Sequence, residues 1–279
     1  MMIELDEASR PVFVRRIQDY MIKALKEAKI NTSWINPDEE YEQELRSFVA
    51  AVLEPALDNA FLAECAAFAV RIARAGMWNS LSQSLLKITA PGVPDFYQGT
   101  ELWDLSLVDP DNRRPVDYGQ RRALLSALRY DSQNDPLACC ARLLGAPEDG
   151  RIKLYVVSQA LRFRRANAEL FRDGTYDPLA AAGEAADHVI AFARALGEKQ
   201  VVVVATRFFM ALGAPDRPPV GPEVWRGARL PLPAGAAPGV YRDCFTGRSF
   251  RIASDGDGAL ELAEVLAHLP VALLARVQG

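Results

Sequence analysis

The hydrophobic period changes once along this chain, and that change constrains the fold more than any other feature. Across residues 9–171 apolar side chains return every three or four positions, as on one face of a helix; beyond Gly174 they come in short runs cut by turn formers. Ser9 and Pro11 open a helix that carries Val14, Ile17, Met21, Ile22 and Leu25 and ends near "KEAK". Asn36-Pro37, followed by Asp38, Glu39 and Glu40, predicts a second start, with Asn36 as the side-chain cap and acids at the positive end of the helix dipole. Tyr41, Leu45, Phe48, Val49 and Val52 form its apolar stripe. A third helix is expected over 62–75, stopped by Gly76, and a fourth over 77–87, ended by Pro91; three more follow over 118–129, 136–144 and 152–171.

The second half reads as strands: "HVIAFAR", "KQVVVVATR", "ARLPLP", "GVYRDCFTG", "SFRIAS", "ALELA" and "PVALLARV", separated by Pro215 to Pro219 and by "SDGDG". The fold class expected is α+β, with a mainly helical part over 1–175 and an antiparallel β-sandwich over 176–279. The Ala-rich stretch 179–186 is expected to be a surface loop.

A formal net charge of -4 leaves no overall field to draw the chain to nucleic acid or to an anionic membrane. The pairs Arg15-Arg16, Arg121-Arg122 and Arg164-Arg165 are read as solvated helix faces. Cys65, Cys139, Cys140 and Cys244 lack zinc-ligand spacing and are read as buried thiols in a reducing compartment. No apolar stretch is long enough for a membrane helix, so a soluble cytoplasmic protein without metal or cofactor is expected.

Chemistry concentrates in "TAPGVPDFYQGTELWDLSLVDPDNRRPVDY", residues 89–118. Val93, Phe96 and Tyr97 stand between Pro91, Gly92, Pro94 and Gly99, a pattern that predicts a short buried strand over 93–97 ending in a glycine turn. Polar groups just beyond a strand end are functional candidates. Here they are Gln98, Glu101, Asp104, Asp109, Asp111, Asn112, Arg113 and Arg114, sharing space with Tyr97 and Trp103. Aromatics mixed with carboxylates and amides suit a carbohydrate. The plain alternative is a structural loop in which Asp and Asn make turns and the arginines pair with the acids.

"GVPDFYQGTE" resembles the eighth-strand motif of α-amylase-type glycoside hydrolases. Together with "KALKEAKINTSWINPDEEYE", "NSLSQSLLKITAPGVPDFYQGTELWDLSLVDPDNRRPVDY" and the closing "LPVALL", the chain resembles the maltooligosyl trehalose synthases over nearly its whole length. That resemblance implies the last strand of an incomplete (β/α)8 barrel within the helical part. It also implies conversion of the reducing-end α-1,4 bond of a maltooligosaccharide to an α,α-1,1 bond. The retaining mechanism implied uses an Asp nucleophile, a Glu acid and a supporting Asp.

The resemblance places those carboxylates on barrel strands four, five and seven. No "HDTKR"-like stretch is present and no strand-like segment precedes Thr89, so no residue is assigned as catalytic. The chain is expected to be the C-terminal portion of the enzyme, inactive alone. Its partners would be the maltooligosaccharide, the missing N-terminal part of the barrel, and a second copy of itself through the strand-eight region. The resemblance puts Tyr97, Gln98, Glu101, Asp109, Asn112, Arg113 and Arg114 beside the sugar site, with Arg113 or Arg114 pairing with a catalytic-site carboxylate. Trp34 in "NTSWINP" would stack on a sugar face or pack onto the following helix. Two other readings stay open: a non-catalytic carbohydrate-binding or scaffolding module, and a related amylase-type hydrolase.

Overall fold

In a computed structural model, residues 7–55, 59–212, 217–232, 239–252 and 258–277 are described, and the run "VVVVA" lies in the middle of an antiparallel sheet. The turn formers at Pro215 and Asp216 and most of "SDGDG" lie outside the described residues. Among the described residues eight strands form: β1 Asp177–Leu179, β2 Val189–Leu196, β3 Lys199–Thr206, β4 Arg229–Pro231, β5 Gly239–Asp243, β6 Ser249–Ile252, β7 Ala259–Glu261 and β8 Val271–Arg276. Six of them pair in the order β1-β2-β3-β8-β5-β6, and β4 pairs with β7.

Side chains alternate across a strand, so a central strand covered on both faces must be apolar at every position. In β3, Val201 and Val203 enter one core and Val202 and Val204 the other; in β8, Val271 and Leu273 oppose Ala272 and Leu274 in the same way. The first core is completed by helices that precede the sheet, through Leu81, Leu85, Ile88, Cys140, Leu143, Ile152 and Val156. The second is closed by Leu230 of β4, Leu260 of β7, and the short helices α8 Pro222–Trp225 and α9 Leu262–Val265. The strands are antiparallel as expected. The layer facing the large sheet is the two-stranded sheet β4–β7 with two single-turn helices, smaller than a full sandwich half, and helices cover the other face. The shared first core also runs across the boundary expected at 175/176.

Seven helices precede the sheet: α1 Ser9–Ala28, α2 Glu39–Val52, α3 Ala60–Thr89, α4 Tyr118–Asn134, α5 Pro136–Gly145, α6 Arg151–Ala166 and α7 Ala168–Asp173. Three differ from expectation. The cap of α2 is Asp38, whose carboxylate accepts from the Tyr41 N–H at 3.0 Å, two residues beyond Asn36. Gly76 does not stop α3. A mid-helix glycine costs about 1 kcal/mol against alanine, and the flanking Trp78, Leu81 and Leu85, all buried, offset it. The helix expected over 152–171 breaks at Asn167, between α6 and α7.

The described chain divides into two compact units, one of Met1–Ala73 with Leu105–Pro115 and the other of Arg74–Asp104 with Val116–Gly279. In the first, α1 and α2 are joined through Thr32, whose hydroxyl donates to Glu42 at 2.6 Å and accepts from the Asp38 N–H at 3.0 Å; Lys26 completes the cluster 3.1 Å from Glu42. Hydrogen bonding from Thr32 holds the Glu42 carboxyl below its ordinary pKa. Cys139 and Cys140 are buried, but Cys65 is exposed on α3, against expectation. Among the described residues no helix is long and apolar enough to cross a membrane.

Candidate functional site

The motif over 89–104 is an irregular segment whose backbone is satisfied by arginines. At the C-terminus of α3 the last carbonyls have no helical partner. Arg164 of α6 donates to Ile88 O and Gly92 O, both at 2.5 Å, and to Ala90 O at 3.5 Å, while Arg194 of β2 takes Thr89 O at 3.2 Å. Beyond Gly92 no strand forms over 93–97. Pro94 removes an N–H donor there, and the described strands pair among themselves. Val93 is 93% exposed and Tyr97 48%, so the expected buried strand is corrected to an open, extended segment.

A turn follows, with Thr100 donating its N–H and hydroxyl to Tyr97 O at 3.2 and 2.7 Å. Gly99 has φ 89° and a Cβ there would meet Val116 Cγ2 at 3.1 Å, so the position needs glycine twice over. Glu101 accepts from Arg121 of α4 at 3.2 Å, and the same guanidinium donates to Gly99 O at 2.7 Å. The other two aromatics turn inward: Lys87 Nζ lies 3.8 Å from the Phe96 ring centre, and Trp103 donates to Pro147 O at 2.7 Å with Lys153 over its face. Burial holds the Lys153 pKa below its ordinary value. Tyr97 and Gln98 are exposed, as are Val93, Asp95 and Asp104 of the same segment.

The second part of the motif, 105–115, belongs to the first unit and is tied to α1. Arg16 grips Asp111 with Nε at 3.0 Å and Nη2 at 2.8 Å, and Asp111 also accepts from the Leu107 N–H at 2.7 Å. Lys23 donates to Asp109 O at 2.5 Å. Arg113 pairs with Asp109; Arg114 donates to Asp111 O at 2.9 Å and to Ser106 Oγ at 3.3 Å. Asn112 Oδ1 is buried without a partner among the described residues, an unmet acceptor inside an otherwise saturated loop. Trp34 is 57% exposed; its indole N–H donates to Glu27 Oε1 at 3.1 Å and Lys26 Nζ stands 5.0 Å from its ring centre. It is fixed to the preceding helix, α1, and not to the following one.

Hydrogen bonds from Arg16, supported by the Leu107 N–H, hold the Asp111 carboxyl below its ordinary value of 3.8 against the opposing effect of burial. A carboxylate depressed in the folded state stabilises fully above the unfolded pKa and loses that contribution as pH falls through the folded one. The expected result is that Asp111→Asn lowers stability at neutral pH by about 1–2 kcal/mol, the range for charge-assisted hydrogen bonds, and that the deficit shrinks as pH falls below about 4. Urea unfolding of both proteins at pH 7 and pH 3 measures it. An equal deficit at both values would deny Asp111 this role.

Of the residues expected at the sugar site, Tyr97, Gln98 and Glu101 lie in one unit and Trp34, Asp109, Asn112, Arg113 and Arg114 in the other. Sequence reading missed the residues that hold both segments in shape. In each arginine pair one member is exposed as expected, Arg15, Arg122 or Arg165, and the other reaches the motif: Arg16, Arg121 or Arg164. Neighbours on a helix point about 100° apart, so a pair beside an apolar stripe places only one guanidinium in water. In the sheet region Trp225 is fully buried, donating to Pro219 O at 2.9 Å, and the buried Tyr241 donates to Gln200 at 2.6 Å.

No family model matches the chain. It is 37% identical over 261 residues to proteins of two Mycobacterium tuberculosis strains that carry the name maltooligosyl trehalose synthase, an alignment covering 94% of this chain and 28% of theirs. Among solved structures it is similar to the maltooligosyltrehalose synthase from Arthrobacter ramosus, with 36% identity and a TM-score of 0.73 over 95% of this chain and 30% of that one. A Sulfolobus tokodaii hypothetical maltooligosyl trehalose synthase matches at 27% identity and a TM-score of 0.62, again over 95% of this chain and 29% of the other. The resemblance read from the motifs is therefore shown. The chain spans less than a third of the length of the relatives it matches.

Proposed function

We propose that this chain is the C-terminal portion of a maltooligosyl trehalose synthase, a cytoplasmic, cofactor-free mutase that converts the reducing-end α-1,4 bond of a maltooligosaccharide to an α,α-1,1 bond by intramolecular transglycosylation. The observation that carries the reading is the 37% identity sustained over 94% of the chain with relatives of that name. The nucleophile, the acid and the supporting carboxylate of the retaining mechanism belong to the part of the enzyme outside this chain. What this chain contributes is a wall: Tyr97 and Gln98 face the sugar, and Arg121, Arg164 and Lys87 hold the segment that presents them. Such a wall also keeps water from the covalent intermediate, so that the sugar hydroxyl attacks in its place. Reconstitution with the rest of the enzyme tests the assignment.

A finer expectation concerns Arg113 and Arg114, both exposed and both paired within their own loop. Replaced one at a time by Lys in the complete enzyme, one of the two is expected to lower turnover about tenfold to a hundredfold while melting temperature changes little. Lys cannot supply the planar fork, and misplacement by about 1 Å costs rates of that order. Parallel losses of turnover and melting temperature, or no loss of either, would reduce the pair to a structural one.

A further inference from the structure

The C-terminal half of α6, the start of α5 and the ends of β5 and β8 line a cleft of about 650 Å³, within the range of small-molecule sites. Its charge is one-sided. Arg162, Arg242 and Arg276 line it, and the acid beside them, Asp243, is already committed. Asp243 is 2% exposed; its Oδ1 accepts from the Phe245 and Leu273 N–H groups and its Oδ2 from the Thr246 N–H and hydroxyl. Arg162 makes no hydrogen bond or ion pair among the described residues. Arg242 donates to Gly247 O at 3.2 Å and has no carboxylate partner among them. Arg276 meets Glu198, a residue standing almost wholly in solvent, at 3.2 Å. Gln133, Gln159 and Phe163 also line it, and among the described residues the Gln159 amide is held by a single 3.4 Å bond to Ser132.

Like charges gathered around one concavity repel unless an anion joins them, and the guanidinium fork matches a phosphate group. A cleft of this volume exceeds what a free phosphate fills. Amides and an aromatic face next to the cations suit ring hydroxyls and a sugar face. We propose that the cleft binds a phosphate monoester of a hexose, with Arg162, Arg242 and Arg276 on the phosphate and Gln133, Gln159 and Phe163 around the ring. This assignment does not rest on the mutase reading.

Calorimetric titration of the 279-residue chain with glucose 6-phosphate, inorganic phosphate and glucose tests it. Glucose 6-phosphate is expected to bind at least about tenfold more tightly than inorganic phosphate, with no measurable heat from glucose, and to weaken as salt is raised. Arg162→Gln and Arg242→Gln should each weaken it by about tenfold or more, the loss of one charge-assisted contact. Their circular dichroism should be unchanged, since neither side chain holds an ion pair among the described residues. No heat with glucose 6-phosphate, equal affinity for inorganic phosphate, or variants that bind as well as the parent would each overturn the proposal.

Discussion

Maltopentaose incubated with the pure chain is expected to remain intact, with loss of reducing ends at the detection limit, whereas the chain co-expressed with the rest of the enzyme forms the non-reducing product. Retaining glycosyl transfer needs two carboxyl groups about 5–5.5 Å apart on either side of the bond, and enzymes of this kind supply accelerations of about a millionfold or more. Asp109 and Asp111 are bound to arginines, and Glu101 is bound to Arg121. Recovery on co-expression is expected because relatives more than three times as long share the segment at 37% identity. The exposed Val93 and Tyr97 in one unit, and Phe48, Phe61, Phe68 and Ile72 in the other, are apolar surface of the kind that ordinarily marks an interface. Alone, the chain should therefore self-associate in size-exclusion chromatography with light scattering. Steady formation of a non-reducing sugar by the pure chain would sink the fragment reading. A monodisperse monomer that ignores the co-expressed part would do the same.

Where the sequence was legible, local chemistry and tertiary packing agreed. Asp117 and Asp135 cap α4 and α5 close to where period and turn residues put those helices, and the strand runs after Gly174 all pair antiparallel. Errors arose where a local signal was outweighed by something remote. Gly76 reads as a stop, yet Trp78, Leu81 and Leu85 carry the helix through it into the core. The apolar content of 93–97 reads as a strand, but a strand exists only with a ladder partner, which periodicity cannot supply. At the candidate site the exposed residues, Tyr97, Gln98, Arg113 and Arg114, were legible by type. Those that hold them were not, because Arg16, Arg121 and Arg164 act through contacts 95, 20 and 76 positions away along the chain.

Arg194 carries the largest effect on stability. It lies two residues beyond Phe192 on β2 and so on the same face, turned toward the helices. Only 1% exposed, it has no carboxylate partner among the described residues; its guanidinium is satisfied by carbonyls alone. It donates to Thr175 O, to Gly174 O at 3.0 Å, to Phe171 O at 3.1 Å, to Thr89 O at 3.2 Å and to Leu170 O at 3.4 Å. These are C-terminal carbonyls of α3 and α7 and of the turn after α7, of which Leu170 O also accepts from the Gly174 N–H at 3.0 Å, and a cation at a helix C-terminus meets the negative end of the dipole. Arg194→Leu keeps the burial but takes away the donor to the other four carbonyls, each unmet acceptor costing about 1–3 kcal/mol in the interior. Arg194→Lys keeps the charge with three donors on a single point and cannot reach carbonyls on both helices at once. The expected result is a loss of about 3–5 kcal/mol for Leu and a smaller but clear loss for Lys, read as the shift in urea midpoint at constant slope. Because Thr89 opens the motif, Arg194→Lys should also speed proteolysis after Phe96 and Tyr97. A Leu variant as stable as the parent would mean that the carbonyls find water instead, and that β2 does not hold the motif in place.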